Sequence, residues 1–138
     1  MASDDLRVRA TRDWLAYASD DLTVAASGLE EGSPAFLRDA AFHCQQSAEK
    51  ALKAFLVWND IPFPRVHDLE DIGARCVELD ASLRSIAEQA AELSQYAWRF
   101  RYPGEPYEPT PEEVQQALRF AQATYRSILD RLPTEVRP

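Results

Sequence analysis

The segment PAFLRDAAFHCQQSAEKALKAFLVW, residues 34–58, decides the fold of this chain. Its apolar residues recur at steps of four and three, a spacing that places them on one face of an α-helix in a left-handed bundle. This seam consists of Leu37, Ala41, Cys44, Ala48, Ala51, Phe55 and Trp58. The alanines at its centre allow a neighbouring helix to approach closely. The segment therefore predicts a long bundle helix from Pro34 to about Trp58.

The residues before this segment predict another helix, from about Arg9 to Glu30. Its apolar residues recur at the same steps, at Leu15, Ala18, Leu22, Ala25 and Leu29. Gly32 suits the end of a helix, and Ser33 followed by Pro34 suits the start of the next one. A short connection is therefore expected between two antiparallel helices.

The residues after it predict a third helical region and a last helix. The apolar pattern resumes at Leu69 and continues to Phe100, and Asp80 could cap a fresh start within it. The sequence TPEE at 110–113 combines a capping threonine, a proline at the first helical position and a glutamate at the third. It predicts a last helix that reaches Pro133. Proline-rich stretches separate these helices from each other and from the second helix, at 59–68 and 102–111.

Together these segments predict an all-α fold, a four- to five-helix up-and-down antiparallel bundle. The fifth helix arises if the third region breaks. At 138 residues the chain fits one domain, residues 1–138 with a core at about 9–132. Cys44 and Cys76 lie on apolar stripes without a CxxC spacing, so we interpret both as reduced core residues.

Composition and charge exclude several classes of function. A formal net charge of −8 argues against a general coating of DNA or RNA, although it is compatible with a local basic pocket. The lack of a long apolar run or leader predicts a cytoplasmic protein with no membrane partner. The two histidines lie far apart in sequence and have no carboxylates at a matching spacing, so no metal site is expected. No cofactor is predicted. We interpret the carboxylate pairs Asp20–Asp21 and Glu30–Glu31 as exposed charge.

A polar stripe accompanies the seam of the second helix, about 100° away from it. The stripe consists of His43, Gln46, Lys50 and Lys53. It has two interpretations. In one, both lysines are solvated, Glu49 pairs with Lys53 at i,i+4 and His43 lies at the edge of the core. In the other, the stripe is a binding site.

Two further clusters favour the second interpretation. In WRFRYP, residues 98–103, arginines alternate with aromatic residues, so Arg99 and Arg101 could hold a phosphate while Tyr102 stacks a base. In the alternative interpretation, the two arginines only complement the negative end of the helix dipole. His67 precedes Asp68, a predicted helix cap, and could face an anion at that helix start.

Three segments give the chain a resemblance to a known family. AFHCQQSAEKALKAFL at 41–56, PFPRVHDLEDI at 62–72 and RFRYPGE at 99–105 resemble, in this order, the motifs of HEPN-domain proteins of the small stand-alone prokaryotic type. The resemblance covers about Trp14 to Leu132. It implies a four- or five-helix bundle, a homodimer, and a partner nucleotidyltransferase with which such proteins form toxin–antitoxin pairs.

The resemblance also implies two activities for such proteins. Many are metal-independent ribonucleases with an Arg-x4-6-His motif, in which arginine steadies the phosphate and histidine takes part in proton transfer. Others bind nucleotides. This chain has one literal match, Arg38 to His43, which lies in the second helix instead of the later part of the bundle. No histidine follows Arg99 or Arg101, so whether the protein is an enzyme stays open.

The leading hypothesis is therefore a protein that binds a nucleotide or RNA phosphate. Its site would consist of His43, Lys50, Lys53, His67, Arg99, Arg101 and Tyr102. One alternative is a metal-independent ribonuclease toxin, whose candidates for catalysis are Arg38, His43, Arg99 and Arg101. A second alternative is a non-catalytic module for dimerisation and docking.

Overall fold

The computed structural model describes residues 2–63, 68–97 and 108–138. These ranges contain five α-helices and no strand, which confirms the all-α bundle. The helices are α1 (Ala2–Glu31), α2 (Pro34–Trp58), α3 (Leu69–Leu79), α4 (Arg84–Ala91) and α5 (Pro111–Leu129). Short 3₁₀ helices span Ala81–Leu83, Glu92–Ala97 and Thr134–Val136.

The second helix forms the centre of the bundle. It packs against α1 along much of its length and also against α3, α5 and the 3₁₀ helix Glu92–Ala97. Leu52 and Leu56 are fully buried, as are the alanines of its seam. The backbones of α1 and α2 approach so closely at Gly28 that an added Cβ would lie 2.8 Å from the carbonyl oxygen of Phe36. The small residues therefore allow the close contact between α1 and α2.

The third helical region is interrupted at Asp80, which ends α3 and caps the 3₁₀ helix Ala81–Leu83. The Asp80 carboxylate accepts hydrogen bonds from the backbone N–H and the hydroxyl of Ser82 and from Arg131 beyond α5. The Ser82 hydroxyl and N–H, together with Arg131, lower the pKa of Asp80. Two other predicted starts are confirmed: Asp68 caps α3, and Thr110 forms a capping box with Glu113.

Two helix ends differ from the prediction. The first helix begins at Ala2 instead of Arg9, and Asp4 and Asp5 in its first turn complement the positive end of the helix dipole. The last helix ends at Leu129 instead of Pro133. Proline disfavours helical geometry in the residue before it, so the chain turns ahead of Pro133 while Leu132 still packs into the core.

Both cysteines lie in the core with free thiols. Burial raises the pKa of Cys44 and of Cys76 to about 12, which makes both thiols poor nucleophiles at neutral pH. Among the described helices, none combines the length and apolar character needed to cross a lipid bilayer.

Candidate functional site

Two residues of the predicted stripe converge on one carboxylate of α1. Asp21 Oδ1 lies 2.8 Å from His43 Nδ1, and Asp21 Oδ2 lies 2.7 Å from Lys50 Nζ. The side chain of Asp21 is 9% exposed, that of His43 25% and that of Lys50 22%. A carboxylate only accepts hydrogen bonds, so the proton between Asp21 and the imidazole belongs to Nδ1 of His43. His43 Nε2 lies on the other side, 3.5 Å from Asp39 Oδ1.

The interpretation of Asp21 as exposed charge is wrong. Asp21 follows Ala18 by three residues and precedes Ala25 by four, so it lies on the apolar face that α1 packs against α2. Asp20 and the pair Glu30–Glu31 are exposed, as predicted. The position of Asp21 within the helical period was the signal that could have identified it.

The lysine one turn further along α2 lies deeper. Lys53 Nζ is 3.2 Å from Glu49 Oε2, and their side chains are 7% and 2% exposed. Glu49 also accepts a hydrogen bond from the buried amide of Gln45, whose oxygen in turn accepts one from Gln46. The i,i+4 pair is therefore confirmed. The predicted solvation of Lys53 is wrong, because neighbouring segments cover its side chain.

Aromatic rings from two other segments flank the lysines. Lys53 Nζ lies 5.4 Å from the ring centre of Trp14 and 5.3 Å from that of Phe63. Lys50 Nζ lies 5.8 Å from the ring centre of Tyr17. Such distances give favourable cation–π attraction. Trp14 and Tyr17 also line an open cavity of about 290 Å³ together with Ala10 and Asp13.

The side chains that surround Asp21 and Lys53 form one cluster: Trp14, Tyr17, Asp21, His43, Gln45, Gln46, Glu49, Lys50, Lys53 and Phe63. The HEPN domain family matches residues 11–131, which include this whole cluster. The chain belongs to the HEPN family. The crystal structure of TT1696 from Thermus thermophilus is similar to it, with 30% sequence identity and a TM-score of 0.73 over 88% of this chain and 98% of that one. No curated protein sequence matches the chain significantly.

Within the HEPN domain, the two ends of the literal Arg-x4-His match have different partners. The Arg38 guanidinium contacts both carboxylate oxygens of Glu108, at 2.9 and 2.8 Å, while His43 contacts Asp21. Five residues of a regular helix turn through about 140°, so the two side chains leave α2 in different directions. One HEPN chain therefore holds Arg38 and His43 against different carboxylates, those of Glu108 and Asp21.

The remaining predicted site residues lie outside the described residues. These are His67, Arg99, Arg101 and Tyr102. Among the residues that are described, no three histidine, cysteine or carboxylate side chains form a group able to hold a metal ion. Sequence reasoning missed five residues of the cluster: Trp14, Tyr17, Asp21, Gln45 and Phe63.

Proposed function

We propose that this HEPN protein binds the phosphate of a nucleotide or RNA at the α1–α2 face, with Lys50 as the principal phosphate contact. The supporting observation is the placement of the chain's only two lysines, Lys50 and Lys53. Their ammonium groups lie 5.8 and 5.4 Å from the ring centres of Tyr17 and Trp14, respectively. Cations beside rings suit a ligand that joins an anionic phosphate to an aromatic base.

Lys50 has the hydrogen-bonding capacity that this role needs. An ammonium group has three donors, and Lys50 uses one of them on Asp21 within the described part of the chain. Asp21 fixes the ammonium in place while two donors remain for phosphate oxygens. Lys53 is nearly enclosed beside Trp14, so it would attract the phosphate by its positive charge without contacting it directly.

The first test measures the affinity for a fluorescently labelled short single-stranded RNA and for AMP and GMP by titration. Lys50→Met keeps the length of the side chain and removes its charge. We expect its affinity to fall about tenfold, since a charge-assisted hydrogen bond is worth about 1.5–3 kcal/mol and salt screens part of it.

The matched control is Arg119→Met, which removes an exposed charge that contacts Gln116 on α5. Its affinity should equal that of wild type. Equal affinities for wild type and Lys50→Met would contradict the role of Lys50, and no binding of any ligand by folded wild type would contradict the proposed function.

The partners belong to the same proposal. We place the protein in the cytoplasm as a homodimer that works with a nucleotidyltransferase in a toxin–antitoxin pair, which is what the motifs at 41–56 and 99–105 imply. Light scattering on the titrated sample tests the dimer against the 15.6 kDa mass of one chain. Co-expression with a nucleotidyltransferase encoded beside it tests the pair by co-purification.

One observation favours a ribonuclease as the second candidate. The Asp21–His43 contact has the form in which a carboxylate orients an imidazole for proton transfer. A substrate would meet Nε2, the other ring nitrogen, which lies beside the half-exposed carboxylate of Asp39. In this mechanism His43 would move a proton at the 2′-hydroxyl.

RNA incubated with the protein in EDTA tests this candidate. Cleavage by wild type that His43→Ala slows at least tenfold, with Arg99→Ala assayed beside it, is the expected result for a ribonuclease. The same cleavage rate in His43→Ala would remove His43 from such a mechanism. Intact RNA with folded wild type would contradict the ribonuclease and leave binding or docking.

A further inference from the structure

We infer that the cavity beside α1 is a subsite for a purine base, formed by Trp14, Tyr17 and Asp13, next to the phosphate position at Lys50. This inference rests on the proposed function and extends it, because it names the part of the ligand that gives selectivity. The cavity and the lysines share their rings: Trp14 lines the cavity and contacts Lys53, and Tyr17 lines it and lies beside Lys50.

The two rings differ in how they are held. Trp14 meets Phe63 edge to face, with ring centres 6.1 Å apart at an angle of 74°, and Lys53 covers it as well. This packing fixes the Trp14 ring as one wall of the cavity. Tyr17 is 62% exposed, an unusual position for a large aromatic residue on a helix that packs into the core. A ring so exposed is free to stack on a base.

The size of the cavity selects the part of the ligand that enters it. Its volume of about 290 Å³ is at the lower limit of the range of roughly 300–1,000 Å³ typical of sites for whole small molecules. A base fits such a space. The apolar lining from Ala10, Trp14 and Tyr17 suits the faces of a base, and Lys50 at the Tyr17 ring suits the phosphate.

Asp13 determines the orientation of the ligand in the cavity. This exposed carboxylate lines the cavity, and a carboxylate only accepts hydrogen bonds. It therefore repels phosphate at this end and attracts the N–H donors on the edge of a base. Adenine, guanine and cytosine all carry an amino group that can donate to it, and the two purines have the larger stacking surface, so purines are the expected bases.

The experiment compares AMP, GMP, UMP and ribose 5-phosphate as ligands of the full-length protein by calorimetric titration. We expect Tyr17→Ala to bind AMP and GMP about tenfold more weakly, because loss of base stacking on an aromatic ring costs about 1–3 kcal/mol. Tyr17→Phe keeps the ring and should bind them as wild type does. Ribose 5-phosphate has no base, so its weaker binding should be the same in wild type and Tyr17→Ala.

The control is Val24→Ala, which shortens another exposed apolar residue of α1, away from the cavity. AMP binding by Tyr17→Ala equal to wild type, or UMP binding equal to AMP, would overturn the inference. The proposed function has a separate readout, the weakening of every phosphate ligand in Lys50→Met. A protein sensitive to Lys50→Met and insensitive to Tyr17→Ala binds phosphate without this base subsite.

Discussion

Lys53→Met is expected to lower the free energy of unfolding by about 3 kcal/mol. Methionine retains much of the apolar length of lysine, so the loss comes from charge and not from a cavity. The Glu49 carboxylate, 2% exposed, would lose the ammonium 3.2 Å away that helps to compensate its burial. Removal of one partner of a buried ion pair usually costs about 3–5 kcal/mol, and the hydrogen bond from Gln45 to Glu49 keeps the value near the lower end.

A double variant separates this explanation from a simple packing defect. Glu49→Gln combined with Lys53→Met removes both charges and keeps an acceptor for Gln45. Its stability should recover at least half of the loss, since replacing both partners of a buried pair is often nearly neutral. Urea denaturation followed by circular dichroism measures all three proteins, with Arg119→Met as the exposed control. A double variant as unstable as Lys53→Met would contradict this explanation.

The Lys53 pair shows which part of the site the sequence specifies locally. Glu49 and Lys53 are four residues apart on a helix whose seam is evident, so their contact follows from helix geometry alone. Burial of the pair depends on Trp14 from α1 and Phe63 after α2. Neither residue is related to Lys53 by helical spacing. Local periodicity predicted the contact, and only the packing of separate segments determines its environment.

Asp21 shows the opposite case. The apolar period predicted the α1–α2 contact correctly, yet an aspartate beside another aspartate is usually solvated. Its partners, His43 and Lys50, come from another helix, and this pairing depends on the register in which α1 lies against α2. Small residues such as Gly28 and Ala40 bring the helices close enough for these contacts. The fold was therefore more predictable than the partners of its polar groups.

Asp21→Ala is expected to lower the free energy of unfolding by about 3 kcal/mol, because two charge-assisted hydrogen bonds are lost and each is worth about 1.5–3 kcal/mol. The figure is below their sum because His43 and Lys50 are each about a quarter exposed, so water replaces part of the loss. Asp20→Ala removes the adjacent, exposed carboxylate and should change stability by less than about 0.5 kcal/mol. Equal effects of the two substitutions in urea denaturation would contradict a bridging role for Asp21.

Asp21→Asn changes the chemistry of His43 in a way that can be observed directly. An asparagine side chain has one acceptor oxygen and one donor amide, whereas Asp21 offers an acceptor to each of two donors. The Lys50 ammonium can only donate, so it takes the oxygen. The amide N–H₂ then faces Nδ1 of His43, which must become an acceptor. We expect the imidazole proton to move to Nε2, where Asp39 can accept it.

Nitrogen-15 NMR of histidine-labelled protein distinguishes these tautomers at a pH where the ring has one proton. In wild type the protonated nitrogen of His43 should be Nδ1, and in Asp21→Asn it should be Nε2. The same tautomer in both proteins would show that Asp21 does not orient the ring. The result also bears on the ribonuclease candidate, because Nε2 can accept a proton from a 2′-hydroxyl only when it is unprotonated. A wild-type protein with the proton already on Nε2 would lack the base that this mechanism requires at His43.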